Sequence, residues 1–534
     1  MDSQQLRGVS QRRSETWNLR TWQIVASVIA LCGIVLAVHA ISADHIGSVV
    51  EYDDGVYFGA ALNLIHGVLP YKNYVFLQPP LIAVWLTPAA ALASKLGVRT
   101  AFELARAFTD LISLLNIGLV GYMLRKRTNL AIFIGTSIMA LSISTIQASQ
   151  TVLIEPFLVF LSLLSLIALL SGESITQDSR RLWLSGVLFG LAGATKVWAI
   201  VPVLVVLAIT WQTRRDSAIK IGLGTALGFL VTVGPLLLIA PSQLVRQVVL
   251  TQAIRGASGE RVPSRIANLL GISYLSDLTR AYAVVGGTVT IAIAVAALLL
   301  MRRTYQRISS TSRTSLGRIA LWSTVAVGIS LLIAPSYYYH YGAFLAPYVG
   351  LTVGTLYRPS RWLSKHITEA SNWRRLYVVL AVAVFSLLWL GDLKQATMPP
   401  IRDSVVTESM AKMMSLVHGC VVTNDPAIAI LAGHYTSDRA GCPSVVDWNG
   451  TERYYVRGIS GEPQDNQNVK LQSTITGWLH AADAVILGTV DAGIGSTNLS
   501  YLNHHFRSRF FQAAGVTVYV RSRPRSDRPI SSAG

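Results

Sequence analysis

Three carboxylates stand almost side by side, Glu51, Asp53 and Asp54, in the stretch "EYDDGVYFGAALNLIHGVLPYKNYVFLQPPL" (51–81). They follow the first long apolar run, where the chain leaves a bilayer. Carboxylates at a water–lipid boundary can take a proton from a bound group. They can also simply cap a helix, because the helix dipole favours negative charge at its start. Tyr57, Ala60, Ala61, Leu64 and Ile65 recur at helical spacing, and Gly67 and Pro70 end the pattern, so an interfacial helix is expected here. Residue types alone leave both readings open. Other chemically able groups stand at the ends of later apolar runs: Glu155 in "SQTVLIEPFLVFL", Lys196 in "LFGLAGATKVWAIVPVL" and His340 in "PSYYYHYGAFLAP". No His/Cys cluster has the spacing of a metal site.

These groups have to be positioned by membrane helices. The chain has 534 residues, of which 52% are hydrophobic and only 13% charged, against about 25% charged in ordinary globular domains. Apolar runs near the length that spans about 30 Å of hydrocarbon recur along it. The net charge of +18 could suggest nucleic acid, but the basic residues sit in short clusters between apolar runs. "RKRT", "TRRD", "MRRTYQRISSTSRTSLGR" and "YRPSRWLSKH" follow the positive-inside bias instead, so nucleic acid is excluded as a partner. The run from Trp22 to about Ile41 is long enough to stay as an anchor, with cleavage at Ala-Val-His-Ala (37–40) as the alternative.

With residues 1–20 cytoplasmic, the first helix brings Glu51, Asp53 and Asp54 outside. Residues 43–100 then form a first outer loop, in which "LIAVWLTPAAALASKLG" is an interfacial or re-entrant helix. If it crossed, Arg125-Lys126-Arg127 would fall outside, against the charge bias. Further crossings are expected near 103–124, 129–149, 151–170, 182–195, 197–212, 220–240, 281–301, 318–334, 342–357 and 375–392. The turn at Lys196 is tight. The membrane domain is thus 21–392, with about 11 helices. Residues 393–520 form a small extracytoplasmic α/β domain, since "GCVVTNDPAIAILAGH", "ADAVILGTVD" and "GVTVYVRS" read as strands. In an oxidising compartment Cys420 and Cys442 are expected to pair; two buried thiols are the alternative. Residues 521–534 read as a disordered basic tail. Asn449-Gly450-Thr451 matches a glycosylation sequon, a pattern too short to carry weight.

An acid pair, a Tyr three or four residues on, "G-x-x-P-Y", and an aromatic run ending in Pro-Pro-Leu together resemble the first outer loop of the GT-C fold glycosyltransferases. These enzymes use sugars carried on polyprenyl phosphate; protein O-mannosyltransferases and the lipid A aminoarabinose transferase (families 39 and 83) are among them. The order of the other motifs agrees. Glu155 heads a helix where the family commonly has an acid, the Gly-rich helix ends in Thr-Lys at Lys196, and the aromatic loop carries His340. The resemblance implies that Asp53, with Asp54 as alternate, is the general base toward an acceptor hydroxyl. It implies a cationic contact for the leaving phosphate from Lys196, with Lys72 and Arg255 as further candidates. Where the lipid A transferase has Glu-Lys before Pro-Pro, this chain has Leu77-Gln78, and Gln78 can donate to phosphate instead. Tyr57 and Glu155 complete the expected substrate site. Structural alternatives remain for three of these residues: a helix cap for Glu155, a snorkelling anchor for Lys196, and an aromatic belt rather than a sugar platform for His340.

The expectation is an integral plasma-membrane enzyme that moves a mannose- or arabinose-type sugar, with inversion, to an envelope glycan, glycolipid or protein outside the cell. No cofactor is required; a divalent cation shared by Asp54 and Glu155 is the alternative. Two rival readings are a transporter of lipid-linked sugars and a non-catalytic relative. The chain lacks the internal symmetry usual in transporters.

Overall fold

The computed structural model describes residues 19–253, 260–269, 314–356 and 404–522, apart from gaps at 416, 418, 438–439, 456–464, 489–492 and 512–514. Arg255 and the crossings expected at 281–301 and 375–392 lie outside the described residues. The apolar runs become helices because lipid offers the backbone no hydrogen bonds, so the segment must satisfy its own. In chain order they are α1 (Leu19–Ile41), α2 (Tyr52–Ile65), α3 (Leu81–Ala91), α4 (Val98–Leu124), α5 (Asn129–Ala140), α6 (Ile143–Ser149), α7 (Glu155–Leu169), α8 (Ser179–Thr195), α9 (Ile200–Thr213) and α10 (Arg215–Ile239). After 241–253 come α11 (Val262–Leu269), α12 (Ser315–Ile333) and α13 (Gly342–Leu356). Four of the described helices, α1, α4, α10 and α12, are long and apolar enough to cross a membrane, and α5 with α6, bent by 55° at their break, forms either a fifth, broken span or a re-entrant pair.

Polar contacts sort the loops into two ends. At one end Arg127 meets Glu173 at 2.6 Å and the Thr355 carbonyl at 3.1 Å, while the Leu316 amide donates to the Glu173 carbonyl at 3.0 Å. Arg318 donates to Gln212 at the same end, at 3.2 Å. At the other end Arg106 meets Asp54, Lys196 meets Glu155 and Tyr339 meets Glu51. Arg127 and Arg318, described members of two of the basic clusters, and the chemically able residues therefore occupy opposite ends of the bundle. Within it α8 and α10 run parallel in backbone contact: a Cβ on Gly190 or Gly228 would overlap the main chain of the other helix. Small residues allow this approach where lipid provides no hydrophobic drive between helices.

The C-terminal part comprises α14 (Ser404–Met414), β1 (Val421–Thr423), α15 (Pro426–Leu431), α16 (Trp448–Tyr455), α17 (Val469–Ala481), β2 (Ala484–Leu487), α18 (Ser496–His505), β3 (Phe506–Phe511) and β4 (Val516–Arg521). The sheet order is β1-β2-β4-β3, with β1 and β2 parallel and the other pairs antiparallel. Strand β3, "FRSRFF", is absent from the sequence reading because it is a mostly exposed edge strand with no apolar run to mark it. Cys420 and Cys442 are disulfide-bonded with Cα atoms 5.4 Å apart. The domain is not an independent appendage. Val56 and Phe58 of α2, Ala101 and Phe102 of α4, the α15 side chains and Ile486, Val516 and Val518 of the sheet share one hydrophobic core.

Candidate active site

The acid stretch forms α2 as the spacing predicts, with Glu51 as its cap: the Glu51 side chain accepts from the Tyr52 amide at 3.0 Å. Asp53 and Asp54 occupy the first turn, and one residue of helix, about 100° of rotation, separates their surroundings. Asp54 is fully buried. It pairs with Arg106 of α4 at 2.6 Å and accepts from the Thr151 hydroxyl. Arg106 also donates to the carbonyls of Ile46 and Ser48, at 2.7 and 2.8 Å, and so ties down the connection from α1. Asp53 is half-buried, accepts from the Tyr57 hydroxyl at 3.1 Å one turn on, and lines a cavity of about 160 Å³.

Tyr57, Gln78, Lys196 and His340 line the same cavity. Lys196 stands where α8 ends in extended backbone before the Val197–Ala199 turn into α9, the tight turn expected there. Its ammonium lies 2.5 Å from Glu155 Oε1 and 3.9 Å from the centre of the Tyr341 ring. His340 Nδ1 lies 3.0 Å from the other Glu155 oxygen. Glu155 heads α7 and is buried behind these two residues, holding both. It is thus more than a plain cap, and Glu155 and Asp54 each pair with a cationic partner of their own. Among the described residues no group of three or more His, Cys, Asp or Glu is arranged to hold a metal. Lys72 is exposed and does not line the cavity.

The opposite wall comes from α16, which lies outside the site expected from the sequence. Asp447, Asn449 and Arg453 line the cavity together with Tyr52 and Tyr338. Asp447 holds the cap position of α16, its Oδ1 accepting from the Gly450 amide at 2.7 Å and from the Tyr52 hydroxyl at 3.0 Å. The Tyr52 hydroxyl accepts in turn from the Asn449 amide at 3.1 Å. The only mark of this in the sequence is an Asp three residues before Gly450 in an aromatic-rich stretch, which reads equally as a helix start. Burial pushes the Asp447 carboxyl up to about 6, against the opposing Gly450 hydrogen bond, and the charge of Asp53 adds to the rise. Burial and then the Asp53 charge also raise Glu51, whose other oxygen accepts from the Tyr339 hydroxyl at 2.6 Å.

A half-buried carboxylate and a lysine ammonium facing one cavity at the end of a helical bundle can activate a hydroxyl and hold an anion. The fold is similar to that of ArnT from Cupriavidus metallidurans. The apo crystal structure of that protein superposes with a TM-score of 0.56 at 14% identity, covering 92% of this chain and 97% of that one. The same protein bound to undecaprenyl phosphate superposes with a TM-score of 0.54 at 14% identity, covering 92% and 98%. Residues 76–335, just under half of the chain, match the sequence model of glycosyltransferase family 87. No curated protein sequence matches. The chain is a multi-pass membrane glycosyltransferase of the GT-C fold. The family model it matches is family 87, rather than either of the two families that its first outer loop resembles.

Proposed function

We propose that the chain transfers a sugar from a polyprenyl-phosphate carrier to a hydroxyl acceptor on the extracytoplasmic face, with Asp53 as general base. The acceptor oxygen attacks the anomeric carbon, and the bond from that carbon to the phosphate oxygen breaks with its electron pair. The acceptor proton passes to Asp53, and polyprenyl phosphate leaves. Direct displacement inverts the anomeric centre and needs one carboxylate, unlike the paired acids of glycoside hydrolases. Lys196 supplies the positive charge for the phosphate, held ready by Glu155 and Tyr341, and Gln78 and His340 add donors. Asp447, Asn449 and Arg453 face the acceptor. Mannose and arabinose are the donor sugars to test first. ArnT, similar in fold, binds undecaprenyl phosphate, which supports the carrier class.

The observation that carries this reading is that Asp53, and not its neighbour, lines the cavity shared with Lys196. The test is transfer by purified protein from labelled polyprenyl-phosphate sugars. Asp53→Asn should keep the fold and lose roughly 10²-fold or more in turnover, as loss of a general base implies. Equal activity in the two proteins removes Asp53 from the mechanism, and translocation without a glycosidic product favours a transporter.

A further inference from the structure

Between α10 and α11 the chain makes one wide turn. Val245–Leu250 is π-helical: the Thr251 amide donates to the Arg246 carbonyl five residues back, and the Thr251 hydroxyl donates to the same oxygen at 2.8 Å. Such turns are rare and concentrate at functional sites. On an α-helix with 3.6 residues per turn, residue i+5 points about 140° away from residue i. When the ring closes on i+5 instead, that residue returns over residue i.

Gln247, in the wide turn, and Gln252, just past it, stand five residues apart, and both reach the same piece of backbone. Gln247 Oε1 accepts from the Phe76 amide at 2.8 Å, and Gln252 Nε2 donates to the Leu77 carbonyl at 3.1 Å. Gln247 is 2% exposed, so its bond is shielded from water. The next residue is Gln78, which lines the cavity, and its carbonyl accepts from the Tyr71 hydroxyl at 2.6 Å. Tyr71 has a φ of +67°, a strained choice for a residue with a side chain. From the same wide turn, Arg246 lies over the Tyr454 ring of α16 at 5.1 Å. One turn therefore grips the loop that carries Gln78 and touches the helix that carries Asp447.

We propose that Gln247 and Gln252 are positioning residues for the transfer reaction. The π turn brings both amides to one face, where they clamp residues 76–77 and aim Gln78 at the donor phosphate. This rests on the phosphate role given to Gln78 above, so the test separates the two. Amide hydrogen exchange of the full-length protein reads the clamp without substrate. Gln247→Leu should speed exchange at the Phe76 amide by about tenfold, and Gln247→Glu, which keeps the accepting oxygen, should restore protection. Steady-state transfer from a labelled polyprenyl-phosphate sugar reads the consequence. Gln252→Ala should raise the donor KM about tenfold in the wild-type background and less than about twofold in Gln78→Ala, because residues acting through one another are not additive. Unchanged exchange in Gln247→Leu, or equal losses in both backgrounds, overturns the proposal. Faster exchange together with a fully active Gln78→Ala overturns the positioning role while transfer itself stands. Faster exchange with no transfer by the wild-type protein overturns the reading of function and leaves the clamp in place.

Discussion

Asp53 and Asp54 share a peptide bond, and their surroundings give them different tasks. Asp54 is locked with Arg106 away from water. Removing either partner of such a pair strands a buried charge, which costs about 3–5 kcal/mol, so a lost Asp54 would read as misfolding rather than as altered chemistry. Asp447 offers a cleaner probe. Its carboxyl is raised to about 6, above the ordinary value near 4, so the folded protein holds that proton more tightly than the unfolded chain. The stability this brings is complete below about pH 4 and is lost as pH rises through about 6. Asp447→Asn keeps an oxygen to accept from Tyr52 and Gly450 but never ionises. Thermal melts in detergent should show the variant more stable than wild type at neutral pH, by up to about 3 kcal/mol, with the gap closing toward pH 4. A gap independent of pH would mean that the Asp447 carboxyl is not raised.

At the scale of elements, α2 presents Asp53, the proposed base, and is held from two sides. Arg106 of α4 grips its first turn, and α15 of the C-terminal domain packs on it so closely that a Cβ on Gly55 would overlap the Ala427 backbone. Two backbones cannot shift as a flexible side chain can. Gly55→Val should therefore separate the C-terminal domain from α2, open the wall made by α16, and lower transfer by tenfold or more, about the effect of a misplaced reacting group. Limited proteolysis should release the C-terminal domain faster from this variant than from wild type. Unchanged cleavage and activity would mean that the contact is dispensable. The parallel pair α8 and α10 works in the same way. Its glycines let the helices touch, which places Lys196 at the end of α8 opposite Asp53.

For the whole molecule the relevant division is between the two ends of the bundle. Among the described residues Arg127 and Arg318 lie at one end, near Glu173 and Gln212, and the cavity opens at the other. If positive charge stays inside, the cavity faces outward. Cys420 and Cys442 are bonded and Cys32 is buried, so an introduced thiol can be read without background. A membrane-impermeant maleimide added to intact cells should label Lys72→Cys, beside the cavity end, and not Lys126→Cys, at the basic end. The reverse pattern would move the chemistry to the cytosol and overturn the proposed donor side.

The sequence by itself determined what is periodic or local: which segments are apolar enough to be helices, which loops carry positive charge, where α2 begins and ends, and which reactive residues stand at helix ends. Side-chain chemistry and spacing along one segment are enough for that. Only the tertiary structure decided which acid of the pair faces the cavity, because a rotation of about 100° separates them and neighbours on other helices choose the direction. It also decided that Glu155 serves Lys196 and His340, and that Asp447 joins a site whose Tyr52 lies 395 residues earlier in the chain. Contacts over such separations leave no periodic trace; they exist only once the helices have packed.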